Sequence, residues 1–387
     1  MISFAPACAG PAATWVGPRL SDKDGYRIHP ASALINILVY DYHSMSPRDR
    51  FHTALDLKSP DRLPLFFQHL GAAKWLLQDT GLRIHDGFFD PDVFARLSLA
   101  SLGMYGFDTV MAGWGDLLVE SKAHGMEWKF PERDFYPRPD KYVPMSEADK
   151  IQPVDPMDDP SWSVMLKAAK LMVDEAGSDA AVVASIGAPN LIASEIVGME
   201  NLMMGYFTDP GVVEKLISTV VQSSISYGER AIEAGIEDIF IENSLAGGEM
   251  VDPTMYEQWD RRFVQQTLDA YRNGGMRTIL HNCSEKPLWQ PQIETHPTAF
   301  HFQVNAVNAN EVFSALRGQT CVMAGIDSRD LLLNRTPEEI DTEVRRIIDL
   351  WGKDPGFMVA PGCELPYKVP QENIKAFKDS IERHGRQ

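Results

Sequence analysis

Eight short apolar runs recur along this chain, most of them separated by enough residues for a helix. That rhythm limits the fold more than any other feature. The runs are RLPLFF (62–67), DTVMAG (108–113), AAVVASIG (180–187), EDIFIEN (237–243), RTILHNC (277–283), AFHFQVN (299–305), TCVMAGID (320–327) and GFMVAPGC (356–363). Most are apolar at consecutive positions, as parallel strands buried on both faces require. Helical patterns lie between them, for example over 209–235 and 336–352. The second opens with Thr336 as a cap, Pro337 in the first helical position and Glu338 in the first turn. Alternating strands and helices predict an α/β protein, and eight such strands predict a (β/α)8 TIM barrel. The other arrangement of such units is a doubly wound open sheet, but no GxGxxG follows the first strand, which weighs against a dinucleotide fold.

Two stretches depart from the rhythm. Residues 1–44 carry no clear amphipathic period and several Pro and Gly, and they read as a loosely ordered N-terminal extension. The text changes at Met45, where a Ser-Pro helix start precedes an amphipathic helix and then a strand, so the barrel domain is expected over 45–387. An arm packed on the barrel is the alternative, and whether residues 1–44 belong to the natural protein stays open. The stretch 114–160 is too long and polar for one tight connection. It reads as an insertion between strands two and three, forming a small hairpin over the barrel mouth. No internal repeat is evident.

Charge and cysteine usage narrow the function. The formal net charge is −18, against the basic footprint that a nucleic acid or an anionic membrane surface needs. No apolar run is long enough for a membrane span, and the N-terminus lacks the basic region and long apolar core of a secretory signal. Four cysteines in 387 residues make no disulfide framework, so a reducing, cytoplasmic location is expected, with thiols available as metal ligands.

In such a barrel the chemistry gathers at the carboxyl ends of the strands. His281 and Cys283 end the fifth predicted strand and, two apart, point to the same side. Cys363 ends the eighth. One imidazole and two thiols are three ligands for zinc with a fourth position open, the pattern of a catalytic site. Taken singly, each cysteine reads as a small buried apolar residue, and His281 as a hydrogen-bonded core residue. Glu242, Asn243, Asn305, Asp327 and Glu364 are the other polar residues at strand ends. His69 follows the first strand and is positioned to line the mouth. Cys321, near the start of its strand, reads as core, and Cys8 lies in the extension. His301 falls inside the sixth strand, facing the helices or the inner layers. The methionine-rich 197–207 reads as core packing.

Two C-terminal stretches, VMAGIDSRDLLLNRTPEEIDTEVRRIID and GFMVAPGCELPYKVPQENIKAF, resemble the hallmark of the uroporphyrinogen decarboxylase superfamily, and SPRDRFHTALDLKSPDRLPL resembles its start. The likeness runs from about Met45 to residue 380, least clearly in the insertion. True decarboxylases carry an arginine-rich segment after the first strand; here that place reads FFQHLGAAKW, without arginine. The His-x-Cys…Cys pattern is instead similar to that of the zinc-dependent, corrinoid-linked methyltransferases of the superfamily, and maps onto His281, Cys283 and Cys363. In thiol-methylating relatives an acidic residue on the sixth strand completes the zinc site; counting from Cys283, that place holds Asn305.

The resemblance therefore implies an enzyme that moves a methyl group from a small methylated substrate, a methoxylated aromatic or another methyl ether, to the cob(I)alamin of a separate corrinoid-binding protein. Zinc would act as a Lewis acid on the ether oxygen. Glu242, Asn305 and Asp327 are the candidates for catalysis, by orienting substrate or supplying a proton. Asn243 and Glu364 are candidates for substrate contact, and Phe66, Phe67 and Trp114 for the walls of an aromatic pocket. Three alternatives share much of this pattern: methyl transfer from methylcobalamin to a thiol, a metal-free lyase of the decarboxylase type, and a zinc-stabilised binding module. The substrate, the direction of transfer and the oligomeric state, a homodimer included, stay open.

Overall fold

Ser46 accepts a hydrogen bond from the Asp49 amide and Pro47 takes the first helical position, so the helix Pro47–Leu55 begins where the sequence marks it. The computed structural model describes residues 45–68, 73–113 and 118–386. Residues 1–44, and with them the expected extension, lie outside the described residues, as do the expected site residues His69 and Trp114.

Among the described residues nine strands follow in chain order: β1 (Thr109–Ala112), β2 (Glu127–Lys129), β3 (Arg138–Lys141), β4 (Ala181–Gly187), β5 (Asp238–Glu242), β6 (Arg277–Asn282), β7 (Ala299–Gln303), β8 (Cys321–Ile326) and β9 (Phe357–Pro361). Seven form one parallel sheet in the order β1-β4-β5-β6-β7-β8-β9. The sheet curls as in a TIM barrel. Helices such as Pro210–Glu233 and Pro337–Trp351 connect its strands. The second helix carries a full capping box: Glu339 N–H donates to Thr336 Oγ1 at 3.3 Å, and Thr336 N–H to Glu339 Oε2 at 2.9 Å.

The two faces of the curled sheet bury different residues. Inside lie Phe66, Met111, Val183, Phe240, Ile279, Ala299, Cys321, Met323 and Met358, one small core closed at one end by Phe51 and Leu55. Outside, a larger cluster fills the layer between sheet and helices. Cys321 is thus a core residue, as its position in the strand indicated, and burial holds its thiol well above the ordinary range.

The first predicted strand, 62–67, is the exception to the ladder. Asp108 N–H donates to Leu65 O at 3.1 Å, so the segment lies beside the start of β1. But Leu65 N–H is taken by the Asp108 carboxylate at 2.6 Å, which also binds Arg50 and Arg62. A buried ion-pair cluster replaces the regular pairing here, although Leu65 and Phe67 face outward and Phe66 inward, as in a strand.

The insertion after β1 contains the antiparallel pair β2–β3. Its Phe135 ring packs on Tyr367, in the loop after β9, with centroids 4.9 Å apart. The methionine-rich helix Met199–Thr208 buries Leu202 and Tyr206 but leaves Met204 and Phe207 exposed, so only one of its faces is core. No helix among the described residues is long and apolar enough to cross a membrane.

Candidate metal centre

Strand alternation places Ile279 and His281 on the inner side of β6, and His281 is 1% exposed. Its ring stacks on Phe240 at 5.0 Å. Neither ring nitrogen makes a hydrogen bond of normal geometry. A buried imidazole without such a bond costs free energy unless something else takes its lone pair. Cys283 comes one residue beyond the end of β6 and is half-buried.

Cys363 reaches the same spot from β9, by a route that depends on glycine. Gly362 N–H donates to Ile326 O at 2.6 Å and Cys363 N–H to Ser328 Oγ at 3.2 Å, while Ser328 Oγ donates back to Cys363 O at 2.9 Å. A Cβ on Gly362 would lie 2.6 Å from Gln303 Cγ and 2.9 Å from Ile326 O. Only a residue without a side chain lets the chain pass here and turn Cys363 toward β6.

The ligand atoms of His281, Cys283 and Cys363 all lie within 4.8 Å of one another. The ligand–ligand edge of a tetrahedral zinc site is about 3.3–3.8 Å, so the three donors need close only slightly on an ion. The Cys283 thiol alongside, together with burial, pushes the Cys363 thiol well above its ordinary range, and the adjacent His281 offsets part of this. Two crowded thiols and an unsatisfied buried imidazole are a donor set that fits zinc.

The other expected residues are spread around this cluster. Glu242 ends β5 as the ladder partner of His281 and accepts from Gln68 Nε2 at 3.1 Å. Asn243 is fully buried; its N–H donates to His281 O at 2.9 Å and its Nδ2 to Asp260 Oδ1 at 2.8 Å. Asn305 lies beyond the end of β7, is exposed, and donates to Asp327 Oδ2 at 3.2 Å. Asp327 also accepts the N–H groups of Arg329 and Asp330, at 2.8 and 2.7 Å. Glu364 is half-buried beside Cys363. Phe66 sits deep in the barrel, while Phe67 turns to the helix layer against Phe107 and Phe377. Both rings are packed on opposite sides of the segment, because neighbouring strand residues point to opposite sides.

Sequence reasoning missed two buried carboxyls, Glu120 and Asp260, and the half-buried Gln303. Glu120 is 4% exposed and its carboxylate accepts from its own N–H and that of Gly187. Gly187 is the ladder partner of Glu242, so the two carboxyl groups share neighbouring strand ends. Burial, with the Glu242 charge adding to it, pushes the Glu120 carboxyl up to about 7. Burial also pushes Asp260 up to about 7, against the bonds from Asn243 and Asn190. Gln303 directs its amide to Cys283 O at 3.4 Å. An acidic residue inside the apolar opening of a helix was the one available signal for Glu120.

A parallel α/β barrel that gathers an imidazole and two thiols at its carboxyl mouth defines the class of this protein. The chain belongs to the uroporphyrinogen decarboxylase (URO-D) family, whose model matches residues 46–384. It is 22% identical over 340 residues to the methylcobamide:CoM methyltransferase MtbA of Methanosarcina mazei, covering 85% of this chain and 96% of that protein. It is 23% identical over 358 residues to the uroporphyrinogen decarboxylase of Flavobacterium johnsoniae, covering 88% of this chain and all (100%) of that one. Among solved structures, a methyltransferase from Methanosarcina mazei superposes with a TM-score of 0.81 at 20% identity, over 88% of this chain and 99% of that one. That likeness establishes the fold.

Proposed function

We propose that this chain is a zinc-dependent methyltransferase that takes a methyl group from a small methylated substrate, a methoxylated aromatic or another methyl ether, and passes it to cob(I)alamin on a separate corrinoid-binding protein. The observation that carries the reading is the convergence of His281, Cys283 and Cys363 within 4.8 Å at the mouth of a barrel of this family. Zinc held by His281, Cys283 and Cys363 would supply a Lewis acid for the oxygen whose bond to methyl breaks.

The chain's own groups account for the rest. The reaction breaks the methyl carbon–oxygen bond, leaves the bonding pair on oxygen and transfers the methyl group to a cobalt nucleophile. The oxygen then takes up a proton. Glu120 retains a proton near neutral pH at the end of β4, and Glu242 stands between it and His281 on the adjacent strand ends. These two carboxyl groups are the chain's candidates for delivering that proton. The backbone bonds around Asn243, Gly362 and Cys363 hold the ligand-bearing turns, so the geometry is organised before substrate arrives.

A second reading, methyl transfer from a corrinoid to a thiol, is favoured by the names of two relatives, the methylcobamide:CoM methyltransferase and the methylated-thiol–coenzyme M methyltransferase of Methanosarcina mazei. One experiment separates the two. The zinc-loaded protein is mixed with cob(I)alamin and a panel of methoxylated aromatics and simple methyl ethers, and methylation of cobalt is followed by absorbance. Formation of methylcobalamin from an ether supports the first reading. Transfer only from methylcobalamin to added thiols replaces it with the second, and turnover in fully metal-free protein would sink both.

A further inference from the structure

His301 is the ladder partner of His281 on one side and of Met323 on the other. It is fully buried in the barrel interior. Its ring centroid lies 4.7 Å from that of His281, 5.7 Å from Phe240 and 6.0 Å from Phe66. An imidazole is an expensive way to fill a layer otherwise built from residues such as Met323, Ile279 and Phe240, because each buried polar atom must regain a partner. One nitrogen does: Nε2 is 2.9 Å from the carbonyl oxygen of Pro361. A carbonyl only accepts, so Nε2 carries the hydrogen. Nδ1 has no partner among the described residues.

Pro361 is the last residue of β9 and stands two positions before Cys363. β8 lies between β7 and β9, and its Gly325 carries no side chain where Gly362 follows the end of β9. A single side chain on β7 therefore touches the ring of one ligand and holds the strand end that presents another. Neither contact is needed to close the sheet, since the β6–β7, β7–β8 and β8–β9 ladders are complete without it.

We infer that His301 is a positioning residue of the metal centre: its Nε2–H bond to Pro361 O and its ring contact with His281 hold the ends of β6 and β9 at the separation where His281, Cys283 and Cys363 converge. The inference rests on reading those three residues as zinc ligands. It assigns the dominant share to the hydrogen bond, because that bond crosses over β8 from β7 to β9.

Two substitutions divide the roles. His301→Phe keeps a ring and removes the donor; His301→Gln keeps an amide donor and removes the ring. Zinc affinity is measured by competition with a chelator, the melting temperature is measured on metal-free protein, and cobalt(II) replaces zinc to report tetrahedral geometry through its visible bands. His301→Phe is expected to weaken zinc by about tenfold to a hundredfold, the range for lost outer partners of metal ligands, and to dim the cobalt bands. Its metal-free melting should stay close to wild type, and His301→Gln should recover most of the affinity. Should Phe overfill the layer, His301→Leu makes the same test with a smaller side chain. Unchanged zinc affinity in the donor-free variants overturns the inference and leaves the ligand assignment standing. Affinity lost only in step with metal-free stability also overturns it, since that is the signature of ordinary packing. A wild-type protein that binds no zinc overturns the ligand assignment and this inference together.

Discussion

Cys283 and Cys363 bring their thiols to one spot from strand ends three places apart in the sheet, β6 and β9. Purified protein should therefore hold about one zinc per chain. Replacing either cysteine with Ala should weaken zinc by more than the roughly tenfold to hundredfold seen for outer partners, with little change in the circular dichroism of the barrel. Zinc retained at full stoichiometry in both variants would remove the metal centre.

The strand-end position closest to these ligands is a separate question. A count along the sequence points to Asn305, yet Asn305 is exposed and bonded to Asp327, whereas Gln303 reaches Cys283 O. A carboxylate at 303 should enter the coordination sphere, tighten zinc and neutralise part of its Lewis acidity. Gln303→Glu is expected to hold zinc more strongly than wild type and lose most methyl transfer, while Asn305→Glu leaves zinc affinity within about twofold, the scatter usual for an exposed site. The opposite ranking in a chelator titration would move the metal toward Asn305.

Gly362 is predicted to be intolerant of even one added methyl. Its Cβ would overlap Gln303 Cγ and Ile326 O, both on elements fixed by the sheet. Gly362→Ala should cost about 1–3 kcal/mol of stability, as overpacking does. The shift should also carry Cys363 away from its partners, so zinc affinity falls as well. Urea titration and zinc content read the two effects separately; an unperturbed variant would show that the turn adapts freely.

Buried carboxyls give the stability curve its sign. The Glu120 pKa rises from 4.5 to about 7 on folding, and that of Asp260 from 3.8 to about 7. Between those values the folded chain binds more protons than the unfolded one, so these groups stabilise fully at low pH. Their contribution falls as pH rises toward 7 and levels off above it. Glu120 should account for a loss of about 1–3 kcal/mol across this window. Glu120→Gln should flatten the fall when denaturation is followed from pH 5 to pH 8. A slope identical to wild type would mean that Glu120 ionises normally.

The sequence by itself determined most of the elements and singled out the three residues proposed as zinc ligands. Consecutive apolar residues marked seven of the eight strands to within a residue or two, because a strand covered on both faces admits little else. Thr336 and Ser46 marked helix starts because capping is local chemistry within one turn. His281, Cys283 and Cys363 stood out because strand ends of a barrel face a common mouth. Only the tertiary structure decided what surrounds them. That Asp108 takes the Leu65 amide, that Glu120 comes from an insertion to sit beside Glu242, that Gln303 rather than Asn305 reaches Cys283, and that His301 faces His281 all depend on register between strands. Register is set by cross-strand packing and by the close approach at Gly325 and Gly362. These are contacts between residues far apart in the chain, and no local pattern encodes them.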